Sequence, residues 1–240
     1  MARSFTGTDL INCGSAANLD NIGPGPIGGC GWLYLTTGTT AGRMIAKQDA
    51  GVTSGWEFAV HSNNNIYYSD MRATTNRYRI STNGSISLNT WTYTAFTVAS
   101  SLLATDIHLY AAVGAAALAE LSYSEAQDGV GAYPSDATND LIIGNRANGI
   151  QPLLGRLAEQ RIWNRIPTLG EFEEVRWRSG IALGAIGSWP LYGIATPEAD
   201  LSGNGNNGTV AGASAAAHPP VGRMVPYKVK MPLGGQTVSA

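Results

Sequence analysis

Twenty residues, Gly155 to Glu174 (GRLAEQRIWNRIPTLGEFEE), constrain the fold of this chain more than any other stretch. Leu157, Gln160 and Ile162, mixed with Arg161 and Trp163, read as a strand. Thr168 followed three positions later by Glu171 has the spacing of a capping box, in which two side chains satisfy backbone N–H groups left free at a helix start. Gly180, just past Trp177 and Arg178, is placed to end that helix. The prediction is one strand running into one short helix, near residues 168–179.

The rest of the chain reads as strands. Thirty glycines, with charged residues at only 13%, suit short strands and tight turns better than a helical bundle, whose surfaces need Lys and Glu. Ser4 to Leu19 reads as strand and turn, and Gly31 to Thr36 as the next strand, with Trp32 and Tyr34 on one face. Arg43–Gln48, Trp56–Ser62 and Asn65–Asp70 follow at the lengths and spacing of successive antiparallel strands. Asn89–Ser100 alternates large residues and pairs with Ile107–Val113, and Leu141–Gly144 supplies a short strand before Gly155.

The Gly155 stretch resembles the closing motif of laminin-G-like (concanavalin A-like) jelly rolls. There a Gly-hydrophobic-Asp-Glu strand carries an Arg-aliphatic-aromatic-Asn-Arg run before a Ser/Thr-capped helix. Glu159, Arg161, Ile162, Trp163, Asn164, Arg165 and Glu171 match, while Ala158 stands where the family usually has Asp. The start of Asn89–Ser100 resembles the family's central hairpin, with Tyr93 where His is frequent. Trp189-Pro190-Leu191, followed by the Asp200-x-Ser202-Gly203-Asn204-Gly205 turn, resembles the motif that normally opens such a domain, and here it comes last. The resemblance implies an all-β, two-sheet antiparallel jelly-roll sandwich in effectively permuted order, a change that sandwiches accept when their termini lie close together. A second, truncated domain from Trp189 onward is the rival, and about 50 residues are too few to bury a sandwich core.

Length and composition therefore predict a single sandwich over residues 1–214 and a Pro-rich arm over 215–240. In the arm, Tyr227, Val229 and Met231 alternate with Lys228 and Lys230, either to dock on a neighbouring subunit as an added strand or as a loose end. The net charge of −2 gives no basic footprint for nucleic acid, and no run of 18 apolar residues exists to span a membrane. The opening MARSFTGTDL lacks the apolar segment of a secretory signal, so the expectation is use without that export route or removal of the signal. Cys13 and Cys30 fit buried apolar positions, and reduced thiols are favoured over a bridge.

Catalytic chemistry is not evident. Glycoside hydrolysis needs two opposed carboxylates, and no closely spaced acidic run lies on one strand. Glu171, Glu173 and Glu174, and Glu120 with Glu125, read as solvated surface. His61, His108 and His218 are scattered and lack a nucleophile motif, and no Cys/His spacing suits zinc. Family members often hold calcium at the sandwich rim, and Asp200, Ser202, Asn204 and Asn206 offer oxygens at alternate positions for it, although a Gly/Asn turn in which Asp200 bonds its own backbone explains them as well. Asn83-Gly84 and Asn207-Gly208 read as turns. Tyr67, Tyr68, Asp70, Arg72, Asn76, Arg77 and Tyr78 form a polar-aromatic stretch that could line a sugar-binding surface, the alternative being core and cross-strand packing.

The expected role is a non-enzymatic structural protein on the surface of a virion such as a bacteriophage capsid, partnered with other subunits or with copies of itself. A glycan-binding lectin-like module, with or without calcium, is the alternative, and a glycosidase or lyase ranks below both.

Overall fold

The structure is a computed structural model that describes residues 1–37 and 41–220. In chain order the strands are β1 (Ala2–Phe5), β2 (Leu10–Asn12), β3 (Ile27–Leu35), β4 (Gly42–Gln48), β5 (Gly55–His61), β6 (Asn65–Asp70), β7 (Arg77–Ser81), β8 (Trp91–Val98), β9 (Ile107–Val113), β10 (Ala119–Glu120), β11 (Tyr123–Gln127), β12 (Leu141–Ile143) and β13 (Gly155–Trp163). Helix α1 (Leu169–Arg176) follows, then β14 (Gly187–Trp189), β15 (Thr209–Ala211) and β16 (Ser214–Ala216). The first sheet has the order β10-β9-β8-β3-β13-β1-β16, with β14 also paired to β13. The second runs β11-β7-β6-β5-β4-β12-β2-β15. All of these strand pairs are antiparallel, so the expected two-sheet jelly-roll sandwich forms.

Alternation along the strands fills the space between the sheets. Trp56, Phe58 and Val60 of β5 point inward against Leu33, Phe96, Leu157 and Ile162 of the first sheet, with the Phe58 and Phe96 rings 4.7 Å apart. A second apolar layer lies on the far side of the first sheet. There Trp32, Tyr93, Ala158 and Trp163 pack under Phe172 and Val175 of α1, and Tyr93 and Trp32 donate hydrogen bonds to the carbonyls of Phe172 and Arg176. The predicted capping box is present: Thr168 Oγ1 accepts from the Glu171 N–H, and the Glu171 carboxylate accepts from the Thr168 N–H.

Several elements differ from the sequence reading. Ser4–Leu19 is not one strand. A turn closed by Asp9 on Thr6 sends β1 into the first sheet and β2 into the second. Strand β3 begins at Ile27 rather than Gly31, because Gly28, Gly29 and Gly31 let Pro167, Phe96 and Gln160 lie flat on the backbone where a Cβ would collide at 2.0–2.4 Å. Strands β7 and β11 went unpredicted because their apolar content is low. Cys13 and Cys30 are both buried and unbridged, and burial pushes the Cys30 thiol up to about 11.

The two ends of the chain close one body. Ala2 is registered with Ala216 and Arg3 with Ala215, so β16 crosses the expected 214/215 division and belongs to the sandwich. Arg3 Nε reaches Glu198 Oε1 at 2.6 Å and its Nη1 donates to the Ala213 carbonyl. Trp189 and Leu191 lie in the same core as Phe5 and Ile11, and Trp189 Nε1 donates to the Asn206 carbonyl at 2.7 Å. The late Trp-Pro-Leu segment therefore completes the core that β1 opens.

At its centre β13 carries a bulge. Glu159 sits at φ 54°, a left-handed conformation that costs a non-glycine residue about 1 kcal/mol or more. The bulge turns the Glu159 carboxylate into the interior. There it accepts from Arg161 Nη2 at 2.7 Å and Ser179 Oγ at 2.5 Å, and it lies 3.4 Å from His218 Nε2. Burial alone would raise its pKa, but the His218, Arg161 and Ser179 contacts outweigh burial and hold it below the ordinary carboxylate range.

Two outcomes test this account. Trp189→Ala should lower stability by about 3–5 kcal/mol in urea unfolding, whereas an unchanged midpoint would place the segment outside the core. Because the folded Glu159 pKa is depressed, its stabilisation is complete above about 4.5 and is lost as pH falls through the lower folded value. The stability gap between wild type and Glu159→Gln should therefore be widest near neutrality and shrink in melts taken toward pH 3.

Candidate functional site

With α1 covering the first sheet, the outward side chains of the second sheet are the place to look for function. On β5 the inward Trp56, Phe58 and Val60 leave Glu57, Ala59 and His61 facing out. The β6 and β7 registers put Tyr67, Ile80 and Tyr78 beside them, and Ala59, Tyr67 and Ile80 form a small apolar cluster with Tyr78. Strand β4 adds Arg43 and Gln48, and the turn after β12 adds Arg146.

Glu57 is the hub of this face. Its carboxylate accepts from Arg43 Nε at 2.6 Å and from the Tyr67 hydroxyl at 2.5 Å, with Arg146 Nη2 at 3.8 Å. The Arg43 guanidinium also lies 6.0 Å from the Tyr67 ring centroid, and His61 meets that ring edge-on. Burial and the charge of Glu57 push the Tyr67 hydroxyl well above its ordinary range, while burial and the like charge of Arg43 pull Arg146 down. Two guanidinium groups thus share one carboxylate. Among the described residues, Arg43 Nη1, Arg146 Nε, Asn65 Oδ1 and both amide atoms of Gln48 are buried with no hydrogen-bond partner. Buried polar atoms are ordinarily paired, so this concentration of unpaired ones on one face marks it out.

The polar-aromatic stretch predicted for sugar contact is divided by the pleat of β6. Tyr67 and the half-buried Tyr78 do face outward, where the sugar reading put them. Tyr68 does not: its ring stacks on Trp56 in the core and its hydroxyl donates to the Gly23 carbonyl at 2.6 Å, so it offers no surface to a ligand. Asp70 and Arg77 are likewise fully buried and joined at 2.7 Å, and Arg77 donates to the carbonyls of Ala99, Ser101 and Pro24. Arg72 shares Asp70 from the sandwich end, and the exposed Asn76 closes the same turn by accepting from the Arg72 N–H. Residues i and i+1 on a strand point to opposite faces, so the stretch could not act as a single surface. Sequence reading missed Arg43, Glu57, Gln48 and Arg146. The available signal for Glu57 was the polar residue at alternate positions of WEFAVHS, opposite the apolar set, whereas Arg43 and Gln48 share a face only because of a bulge in β4 that alternation does not show.

The Asp200 turn is occupied by protein donors. Asp200 Oδ1 accepts from the N–H groups of Ser188 and Ser202, and Oδ2 from the Asn206 N–H and the Ser202 hydroxyl. Ser202, Asn204 and Asn206 all donate to the Ile186 carbonyl. A carboxylate aimed at four donors, with its neighbours acting as donors, is the turn alternative rather than a calcium cage, which needs oxygens converging on one point. Tyr227, Val229 and Met231 lie outside the described residues.

Residues 15–171 match the family model for the concanavalin A-like lectin/glucanases superfamily. The chain belongs to that superfamily. Among solved structures, this lectin-superfamily chain is similar to a proposed carbohydrate-binding protein of Bacteroides ovatus, at 14% identity and TM-score 0.55. The match covers 90% of this chain but 60% of that one, so the present chain spans well under two thirds of its length. Weaker likenesses are to the CBM40 of Ruminococcus gnavus IT-sialidase bound to α2,3 sialyllactose (8% identity, TM-score 0.44, covering 62% of this chain and 80% of that one) and to domains LG4-5 of the mouse laminin α1 chain (7%, 0.44, 68% and 42%). No curated protein matches the chain in sequence.

Chemically, the second-sheet face offers ring contact through the partly exposed Tyr78 and His61, with the positive charge of Arg43 and Arg146 buried beneath. Glu57 is committed to its guanidinium partners. Replacing it with Leu should cost about 3–5 kcal/mol in chemical denaturation by leaving buried charge uncompensated. The double variant Arg43→Met with Glu57→Leu should recover part of that loss, and an additive double variant would refute the pairing.

Proposed function

We propose that the chain is a non-catalytic glycan-binding module whose ligand lies on the outer face of the second sheet, against the partly exposed Tyr78 and His61 and over the buried Arg43, Tyr67 and Arg146 that set the charge beneath them. The observation that carries this reading is a face where the partly exposed Tyr78 and His61 rings lie beside buried guanidinium and amide groups that the protein leaves unpaired, since polar groups with a neighbouring ring are what sugar hydroxyls and ring faces require. The superfamily fold supports it as analogy, since a fold by itself does not assign a function. A non-catalytic role is supported by the engagement of Glu57 with Arg43 and Tyr67, which leaves it poorly placed to exchange protons with a substrate.

A place on a virion surface is compatible with glycan recognition. It rests on the arm that carries Tyr227, Val229 and Met231, and glycan binding is the reading the described residues favour.

A glycan array followed by calorimetry on the best ligand tests the proposal. Binding should appear with the wild type and fall at least tenfold, about 1.4 kcal/mol, in Arg146→Ala and in Tyr78→Ala, and it should survive a chelator. A blank array, or binding indifferent to both substitutions, would defeat it.

A further inference from the structure

The end of the sandwich nearest the β6–β7 turn holds a small pocket of about 260 Å³, lined by Pro24, Arg72, Ser100, Ser101 and Leu102. It lies outside the face described above. Arg72 gives it its chemistry. The side chain is only 6% exposed, is anchored through Nε to Asp70, and packs 5.6 Å from the Tyr133 ring centroid. Its Nη2 is enclosed with no partner among the described residues. The anchoring is rigid. Asp70 is held from its other side by Arg77, and Gly129 lies so close that a Cβ there would come within 3.0 Å of Arg77 and 3.3 Å of Arg72.

The remaining walls match one ligand class. Ser101 Oγ accepts from the Leu103 N–H, which leaves its own proton to donate, and Ser100 is exposed beside it. Leu102, 44% exposed, and Pro24 supply apolar contact. Asp70 is already shared by two guanidinium groups. Asp136, behind Tyr133, is taken up by the Tyr133 hydroxyl and the Asn21 N–H, so neither carboxylate satisfies the free end of Arg72. A guanidinium held through Nε, lining the pocket and with Nη2 left unpaired by the protein, is suited to a carboxylate acceptor. The volume, at the small end for ligand sites, limits the occupant to about one sugar ring.

We propose that this pocket binds the carboxylate of an acidic sugar, of the hexuronic acid class, with Arg72 as the carboxylate receptor, Ser100 and Ser101 as hydroxyl partners and Leu102 against the ring. It extends the glycan reading by adding a second locus and a ligand class, and it is tested apart from the sheet face.

The experiment is a titration of the ¹⁵N-labelled protein followed by amide chemical shifts, with glucuronate, glucose and glucose 6-phosphate as separate probes. Glucuronate should move the Ser100, Ser101 and Leu102 resonances, and glucose at equal concentration should not. Arg72→Gln should weaken glucuronate at least tenfold. Leu102→Trp, which fills the pocket from its exposed rim without touching the Asp70 pair, should do the same with the melting temperature unchanged, and Arg178→Ala, on the exposed face after α1, should leave binding intact. Equal response to glucose, retention of glucuronate binding in Leu102→Trp, or tighter binding of the phosphate would each overturn the carboxylate assignment. Loss in Arg146→Ala alone would move the acidic sugar to the sheet face, ending the pocket proposal while leaving the glycan function standing.

Discussion

Strand β13 is the member on which the rest of this sandwich hangs. It pairs with β3 along one edge and with both β1 and β14 along the other, so the first strand and the late Trp189 segment are registered against the same backbone. Such sharing is possible because the bulge at Glu159 divides the strand. Residues 155–157 serve β1, and residues 160–162 serve β14. The left-handed backbone at Glu159 is tolerated because its carboxylate gathers Arg161, Ser179, the Gly180 N–H and His218, tying the exit of α1 and the last described residues to the sheet. A local strain of that size persists only where surrounding contacts over-determine it.

The same arrangement decides which surface is left for function. Helix α1 and the chain after it cover one side of the first sheet, adding an apolar layer around Trp32, Tyr93 and Trp163. Among the described residues the second sheet carries no such helix, and its outward side chains mix polar and aromatic residues with the small apolar cluster of Ala59, Tyr67 and Ile80. Buried ion pairs do the structural work there. Arg43 with Glu57, and Arg77 and Arg72 with Asp70, hold side chains in fixed orientations that an exposed pair would not enforce. In both clusters two guanidinium groups meet a single carboxylate, so cationic hydrogen-bonding capacity is left over where the protein provides no acceptor.

Much of the fold was legible because the signals were local. The capping box of Thr168 and Glu171, the alternation of Trp91 to Val98, and the six residues of β6 are each determined by neighbours in sequence, and each forms as read. What escaped was set by distant partners. Gly28, Gly29 and Gly31 look like a breaker, and they form strand because Pro167, Phe96 and Gln160 need the space. The weakly apolar Tyr123–Gln127 becomes a strand because β7 offers an unpaired edge. The site was legible only in part. Composition singled out the Tyr67–Tyr78 region, but the pleat carried Tyr68, Asp70 and Arg77 inward and turned Tyr67 and Tyr78 to the outer face, and the partners Arg43, Glu57 and Arg146 come from strands and turns that only the register brings together.

The Asp200 turn shows how a hydrogen-bonded loop can fix a residue of the core. Asp200 gives all its acceptor capacity to Ser188, Ser202 and Asn206, and that turn delivers Trp189 into the core with its indole N–H satisfied by the Asn206 carbonyl. A cation there would have to displace four protein donors, so the turn is better explained by the packing of Trp189 than by metal. The segment around it is fixed in turn by β16, which pairs with β1 at Ala2 and Ala216, and by the Arg3–Glu198 pair beside that seam, so the turn is held from both flanks.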